Sequence, residues 1–256
     1  MIPVSRVTHH DGETGTFPHL IDRYKPGVIA VTRRGVRFVN EADSYHDFGQ
    51  AMQRACGNDP EVAAFLICDH RTLRRYGMGF VKPFPLPYGR ALRTGYLLRG
   101  RTLTELAGHA GIDGAALQRT VDAYNTGAPM GEDPLFGKGS TAYNRYLGDA
   151  SHQPNPCVAP VEHGPFYAIK VFMGDLGTFA GIRTDEHARV LNGAGQVVSG
   201  LYAAGNDAAS VMGGNYPGAG ITLGPAMTFG YIAAQHLAGT VADTNGTSVE
   251  LQLSTT

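Results

Sequence analysis

The sequence predicts an α+β fold in which a larger mixed region precedes a smaller α/β one. Three observations lead there. Short apolar or β-branched runs alternate with stretches of helical spacing through the first 165 residues or so. The texture changes at residue 166, where strand-like runs and glycine turns take over. A glycine-dense loop over 213–224 then delivers the chain to an apolar helical stretch. With 256 residues, 43% hydrophobic and 17% charged, the chain can bury a substantial core.

Element by element, residues 1–27 are polar and hold His9, His10, Pro18, Pro26 and Gly27; they read as loop. VIAVT (28–32), the turn at Arg34-Gly35 and VRFVN make a candidate hairpin. Residues 45–56 have helical spacing, and AAFLICD is a buried strand or helix segment. Three prolines over 80–90 forbid a helix or a central strand. Helices are expected over 102–109, where Thr102 and Glu105 have capping-box spacing, and over 113–126, where Asp113 is the N-cap. Residues 127–165 are irregular, with Tyr143 and Tyr146 either lining a pocket or bracing a surface. FYAIKVFM is a strand. RVLNGAGQVVSGLYAAG reads as strand, turn and a short buried strand ending at Gly205. Helix PAMTFGYIAAQHLAG has Pro225 at its first position and Gly239 just past its end. Residues 241–256 are expected to be a flexible tail.

Composition excludes several classes. A net charge of -1 supplies no field for nucleic acid or an anionic membrane. No run of about 20 apolar residues is present to span a bilayer. The N-terminus MIPVSRVTHHDGETG lacks the apolar core of a signal peptide. Cys56, Cys68 and Cys157 have no metal spacing and are odd in number, so reduced thiols in a cytoplasmic protein are expected. The ten histidines are scattered, and no metal site is expected.

The most informative stretch is GLYAAGNDAASVMGGNYPGAGITLGPAMTFGYIAAQHLAG, residues 200–239. Glycines let the backbone approach a flat ligand that a Cβ would hold off. The helix start offers unpaired N–H groups and a positive dipole end to an anionic cofactor edge. The loop is not a P-loop, and Gly218 and Gly220 are followed by Gly224 one position too late for G-x-G-x-x-G. On the residues alone, a glycine-rich turn before a core helix is an equal reading.

The same stretch resembles the C-terminal FAD-binding signature of the fumarate reductase/succinate dehydrogenase flavoprotein superfamily. NYPGAGITLGPAMTFGYIAA is similar to its 3-ketosteroid dehydrogenase branch. The resemblance implies that the Tyr216 hydroxyl and the Gly220 N–H hold a substrate ketone. It also implies that Gly205, Asn206 and the backbone of Gly220, Ile221, Thr222 and Leu223 contact the flavin. GVRFVNEADSYHDF (35–48) is similar to the superfamily's G-x-RF-x-NE motif. Four residues after Glu41, where fumarate reductases carry a proton-donating Arg, stands Tyr45, which the branch uses as the catalytic base. GDLGTFAGIRTDEHARVL (174–191) matches the superfamily pattern but has Gly177 near the place of a carboxylate-binding His. The missing Arg and His imply a neutral, steroid-like ketone and argue against a dicarboxylate.

The resemblance implies a cap (substrate) domain followed by the C-terminal remnant of an FAD-binding Rossmann-like domain. Expected boundaries are 1–7 for an N-terminal loop, 8–176 for the cap, 177–240 for the remnant and 241–256 for the tail. The implied function is an FAD-dependent desaturation next to a ketone. No G-x-G-x-x-G occurs, so the chain is expected to lack the N-terminal dinucleotide-binding half, which a separately encoded partner could supply. Two other readings stand beside this one. The first is another fumarate- or urocanate-reductase-type flavoprotein. The second is a non-catalytic fragment or subunit of a split flavoprotein.

Overall fold

A computed structural model describes residues 1–178 and 180–240. The chain divides into two compact units, Met1–Leu176 and Gly177–Thr256. The first carries β1 (Ile2–Thr8), β2 (Thr14–Pro18), β3 (Val28–Thr32), α1 (Tyr45–Cys56), β4 (Ala63–Cys68) and α2 (His70–Tyr76). It continues with α3 (Gly89–Arg93), β5 (Leu98–Gly100), α4 (Leu103–Ala110), α5 (Gly114–Gly127), α6 (Ala142–Tyr146) and β6 (Phe166–Gly174). The second unit carries β7 (Arg189–Leu191), β8 (Val197–Tyr202) and α7 (Leu223–Leu237).

The first unit is one antiparallel sheet in the order β2-β1-β6-β4-β3, with β5 also on β6. β6 pairs with β4 along one edge; β1 and β5 share the other, at Ile2↔Gly174 and Gly100↔Phe166. β3 and β4 are buried at every position. Their period of two explains this. Val28, Ala30, Leu66 and Cys68 enter one core with Phe48 and Met52 of α1. Ile29, Val31, Phe65 and Ile67 enter a second core with Leu106 of α4 and Leu117 and Val121 of α5. Helices thus cover both faces, and an apolar side chain buried this way contributes roughly 1.5–3 kcal/mol.

Local signals set the helix ends. Ser44, Asp69, Thr102 and Asp113 each accept a backbone N–H three residues on. The Glu105 carboxylate returns to the Arg101 N–H, closing the α4 cap.

Four expectations are corrected. The segment 1–7 is not loop: β1 runs through it, so the first unit begins at the N-terminus and not at residue 8. Val4, Ser5 and Val7 are buried in the sheet while Arg6 is exposed, a half-buried strand obscured by Pro3 and Ser5. The 28–40 hairpin does not form. β3 pairs instead with β4, and only an isolated Val31↔Arg37 bridge survives, because the Arg37 side chain is drawn into a buried ion pair. Strand β8 is exposed, not buried, because among the described residues only β7 pairs with it. Helix α7 starts at Leu223, two residues before Pro225. The 241–256 tail lies outside the described residues.

Candidate functional site

The motif at 35–41 is a buried electrostatic frame. Gly35 has φ +70°, and a Cβ there would lie 2.6 Å from both the Asp113 carbonyl oxygen and the Leu117 nitrogen. Only glycine lets this turn sit on the start of α5. Arg37 then donates two hydrogen bonds to Glu41 (2.8 and 2.7 Å) and two to Asp133 (2.7 and 2.8 Å). Glu41 Oε1 also accepts the Ala30 N–H (2.9 Å), and Lys138 Nζ lies 4.0 Å from Oε2. All four charged side chains are buried. Burial alone would raise the Asp133 carboxyl, but the hydrogen bonds and charge of Arg37 outweigh it and hold it low. Burial lowers the Lys138 ammonium to about 8 despite the pull of Glu41. A Gly35→Ala change is expected to cost about 1–3 kcal/mol, read as a lower denaturation midpoint.

This frame positions Tyr45. Arg23 NH1 donates to the carbonyls of Glu41 (2.6 Å) and Asp43 (3.2 Å). Asn144 Nδ2 donates to the Ala42 carbonyl (2.8 Å) and to Asp43 Oδ1 (3.0 Å). Ser44 caps α1, and Tyr45, half-buried, is that helix's first residue. Glu41, Ala42 and Asp43 are therefore pinned from distant parts of the chain, and Ser44 by its own cap. Sequence reading missed Arg23, Asp133, Lys138 and Asn144. Their partners lie far along the chain, and no local period marks them.

In the second unit, the β7–β8 hairpin leads into a 3-10 turn at Gly205–Asp207. Asp185 accepts the His187 and Arg189 N–H groups and binds Arg189 Nε at 2.7 Å, which ties the hairpin to its entry turn. Gly205, Asn206, Ile221 and Thr222 meet around one cavity of about 30 Å³. That volume suits a water or a ligand atom, not a ring system. A wider open recess of about 590 Å³ lies at the C-terminal end of β8, lined by Tyr202, Ala203, Ala204, Asn206 and Asp207. Tyr216 is half-buried, whereas Gly220 and Leu223 are exposed. A Cβ on Gly177 would come within 2.8 Å of Asn206 Nδ2, so the residue standing near the superfamily's His makes room for the Asn206 amide.

The glycines of the 213–224 loop differ from Gly35. Gly213, Gly214 and Gly220 have φ of +60°, +86° and +97°, and a Cβ on any of them meets nothing within 4 Å. Backbone shape demands glycine there, while the space beyond stays open to a flat molecule. Asn206 shares the small cavity with Ile221 and Thr222, at the start of α7, which has no side-chain cap bond. The residues present fit the edge of a flavin, with donors that suit its anionic pyrimidine side. Along α7, Leu223, Met227 and Tyr231 are 69%, 74% and 66% exposed at successive steps of four, one continuous apolar face.

Tyr45 belongs to the first unit; Tyr216, Gly220 and the candidate flavin contacts belong to the second. No described helix is long and apolar enough to cross a membrane.

Residues 1–223 match the model of an FAD binding domain family. The chain is 48% identical over 236 residues to a 4-oxocyclohex-2-ene-1-carboxylate 5-dehydrogenase of Sinomonas cyclohexanicum, covering 92% of this chain and 40% of that protein. It is 43% identical over 224 residues to a 3-oxosteroid 1-dehydrogenase of Mycobacterium tuberculosis, covering 86% and 40%. A solved 3-ketosteroid delta1-dehydrogenase from Sterolibacterium denitrificans, in complex with 1,4-androstadiene-3,17-dione, superposes with a TM-score of 0.84 at 41% identity. That match covers 93% of this chain and 43% of the solved one. The chain spans about 40% of the length of these curated relatives.

Proposed function

Since the chain belongs to the FAD binding domain family, matched over residues 1–223, we propose that it is the C-terminal portion of an FAD-dependent dehydrogenase that desaturates a carbon–carbon bond next to a ketone. The proposed substrate is a compact or steroid-like cyclic ketone, as the names of the relatives suggest. Residues 1–176 act as the substrate-binding cap, and 177–240 as the remnant of the flavin domain. The observation that carries this reading is the grouping of Gly205, Asn206, Ile221 and Thr222 around one cavity, beside loop glycines whose Cβ direction is empty.

In this reading, the Tyr216 hydroxyl and the Gly220 N–H donate hydrogen bonds to the ketone oxygen. That polarises the carbonyl, acidifies the adjacent carbon and stabilises the enolate charge that develops. Tyr45 takes the proton from that carbon. A phenol with a pKa of about 10 must be held lower to do so near neutrality. FAD, when bound, supplies the two-electron acceptor for the hydrogen leaving the neighbouring carbon. A Gly220→Ala substitution is expected to weaken substrate binding about tenfold or more, its Cβ entering the open space, and also to lower the melting temperature, since φ +97° strains any residue with a Cβ. Steady-state kinetics beside a melting curve checks this.

The exposed Leu223, Met227 and Tyr231 face and the exposed strand β8 fit a surface covered by further chain, for which the relatives' greater length leaves room. The test of the whole reading is a visible spectrum of the purified protein with and without added FAD. A flavin band that survives desalting supports a flavin site completed by the chain or by a co-purified part. A colourless protein that ignores FAD favours a non-catalytic fragment or a subunit of a split flavoprotein.

A further inference from the structure

A second recess lies wholly within the first unit, and none of the candidate catalytic or flavin residues lines it. It encloses about 350 Å³ under the segment before α3, with Val7, Phe80, Leu86, Tyr88 and Ala91 as apolar walls and Tyr96 among its lining. That volume falls in the range of small-ligand sites.

The walls are held from behind by a buried polar chain that the proposed reaction does not use. His19 Nδ1 donates to Asp22 Oδ2 (2.6 Å), because a carboxylate can only accept. With the imidazole neutral, Nε2 then accepts from Ser5 Oγ (2.8 Å), and Ser5 Oγ from the Tyr96 hydroxyl (2.8 Å). Tyr96 in turn accepts the Phe80 N–H (2.9 Å), and Asp22 Oδ2 accepts the Gly79 N–H (2.8 Å). One carboxylate therefore sets the donor direction of the whole chain and fastens Phe80 and Tyr96 in place. The Tyr96 proton is spent on Ser5, so the hydroxyl offers the recess no donor. This is a preformed apolar site, and its polarity comes from the rim.

That rim is cationic. Lys82 and Arg90 line the recess beside His10, whose Nδ1 accepts from Arg90, and no Asp or Glu does. Arg90 is engaged with the Thr8 and His9 carbonyls and with His10 Nδ1. Lys82, exposed, makes no hydrogen bond or ion pair among the described residues. An apolar body with an anionic head complements this arrangement: the body displaces water from the walls and the head meets the one uncommitted cation.

We propose that the recess is a binding site for a compact hydrocarbon carboxylate, seated with its ring or chain against Phe80 and Tyr88 and its carboxylate at Lys82. The inference stands independently of the flavin reading.

Calorimetric titration of the full 256-residue chain tests it, with cyclohexanecarboxylate, its neutral analogue cyclohexylmethanol, and acetate as probes. The carboxylate is expected to bind saturably at one site, about fivefold more tightly than the alcohol, and acetate not measurably. Lys82→Ala should bring the carboxylate down to the affinity of the alcohol and leave the alcohol unchanged. Thr94→Trp, at an exposed lining position, should fill the recess and abolish both while the circular dichroism and melting curve stay the same. Equal affinity for the carboxylate and the alcohol, carboxylate binding that survives Thr94→Trp, or no saturable binding up to the solubility limit would each overturn the proposal.

Discussion

A Glu41→Ala protein is expected to lose about 3–5 kcal/mol of stability and to melt roughly 10 °C lower, measured by chemical and thermal denaturation. Glu41 answers Arg37 through both oxygens, takes the Ala30 N–H and faces Lys138, with no solvent to replace it. Removing it leaves buried cations without their shared anion, which costs far more than the pair itself contributes. Glu61→Gln makes the contrast. Glu61 binds Arg33 and Lys170 at comparable distances, yet its side chain is 40% open to solvent, so the change should cost about 1 kcal/mol or less. The same cluster carries an acid dependence. Arg37 holds Asp133 below its unfolded value, so this contribution is present above roughly pH 4 and is lost as pH falls through the folded value. Asp133→Asn should flatten that acid limb of the stability profile.

The second large effect concerns Tyr45. In the proposed desaturation, Tyr45→Phe is expected to lower turnover by about 100-fold to 10,000-fold, with KM and melting temperature nearly unchanged. The ring stays, and the helix start is held by the Ser44 cap and by the bonds into 41–43. The decisive readout is the pH profile of kcat. A phenolate base gives a rate that rises with pH until the phenol is ionised, and the residual activity of Tyr45→Phe should lose that rise. A variant retaining near-normal turnover would remove Tyr45 from the role.

The sequence made the strong helices readable because each carries its own local signal. Helical spacing announces α1, Thr102 and Asp113 announce α4 and α5, and Gly239 marks the end of α7 with φ +68°. Uninterrupted apolar runs likewise announced β3 and β6, and left β4 open between strand and helix. Strand β1 was hidden because IPVSRVT mixes Pro and Ser into a strand whose burial depends on β6, far along the chain. Helix α2 was missed because HRTLRRY offers little apolar period; its start is marked only by Asp69. At the site, the motif spacing revealed Glu41 and Tyr45 through family resemblance, but not what Arg37 and Glu41 do. Asp133 and Lys138 come from a stretch without periodicity and acquire meaning only through burial beside them. The 127–165 stretch looked irregular and holds only the short α6 and one 3-10 turn, yet it supplies half of the charge cluster.

The pairing Ile2↔Gly174 has a consequence for how the protein is made. Translation delivers β1 first and β6 last, and no strand can close the sheet before residues 166–174 leave the ribosome. Until then β4, apolar throughout, has an open edge, and β1 has no neighbour but β2. Nascent chains of the first unit therefore carry an unpaired, aggregation-prone strand edge for most of their synthesis, and folding waits on a contact with nearly the longest separation the unit allows.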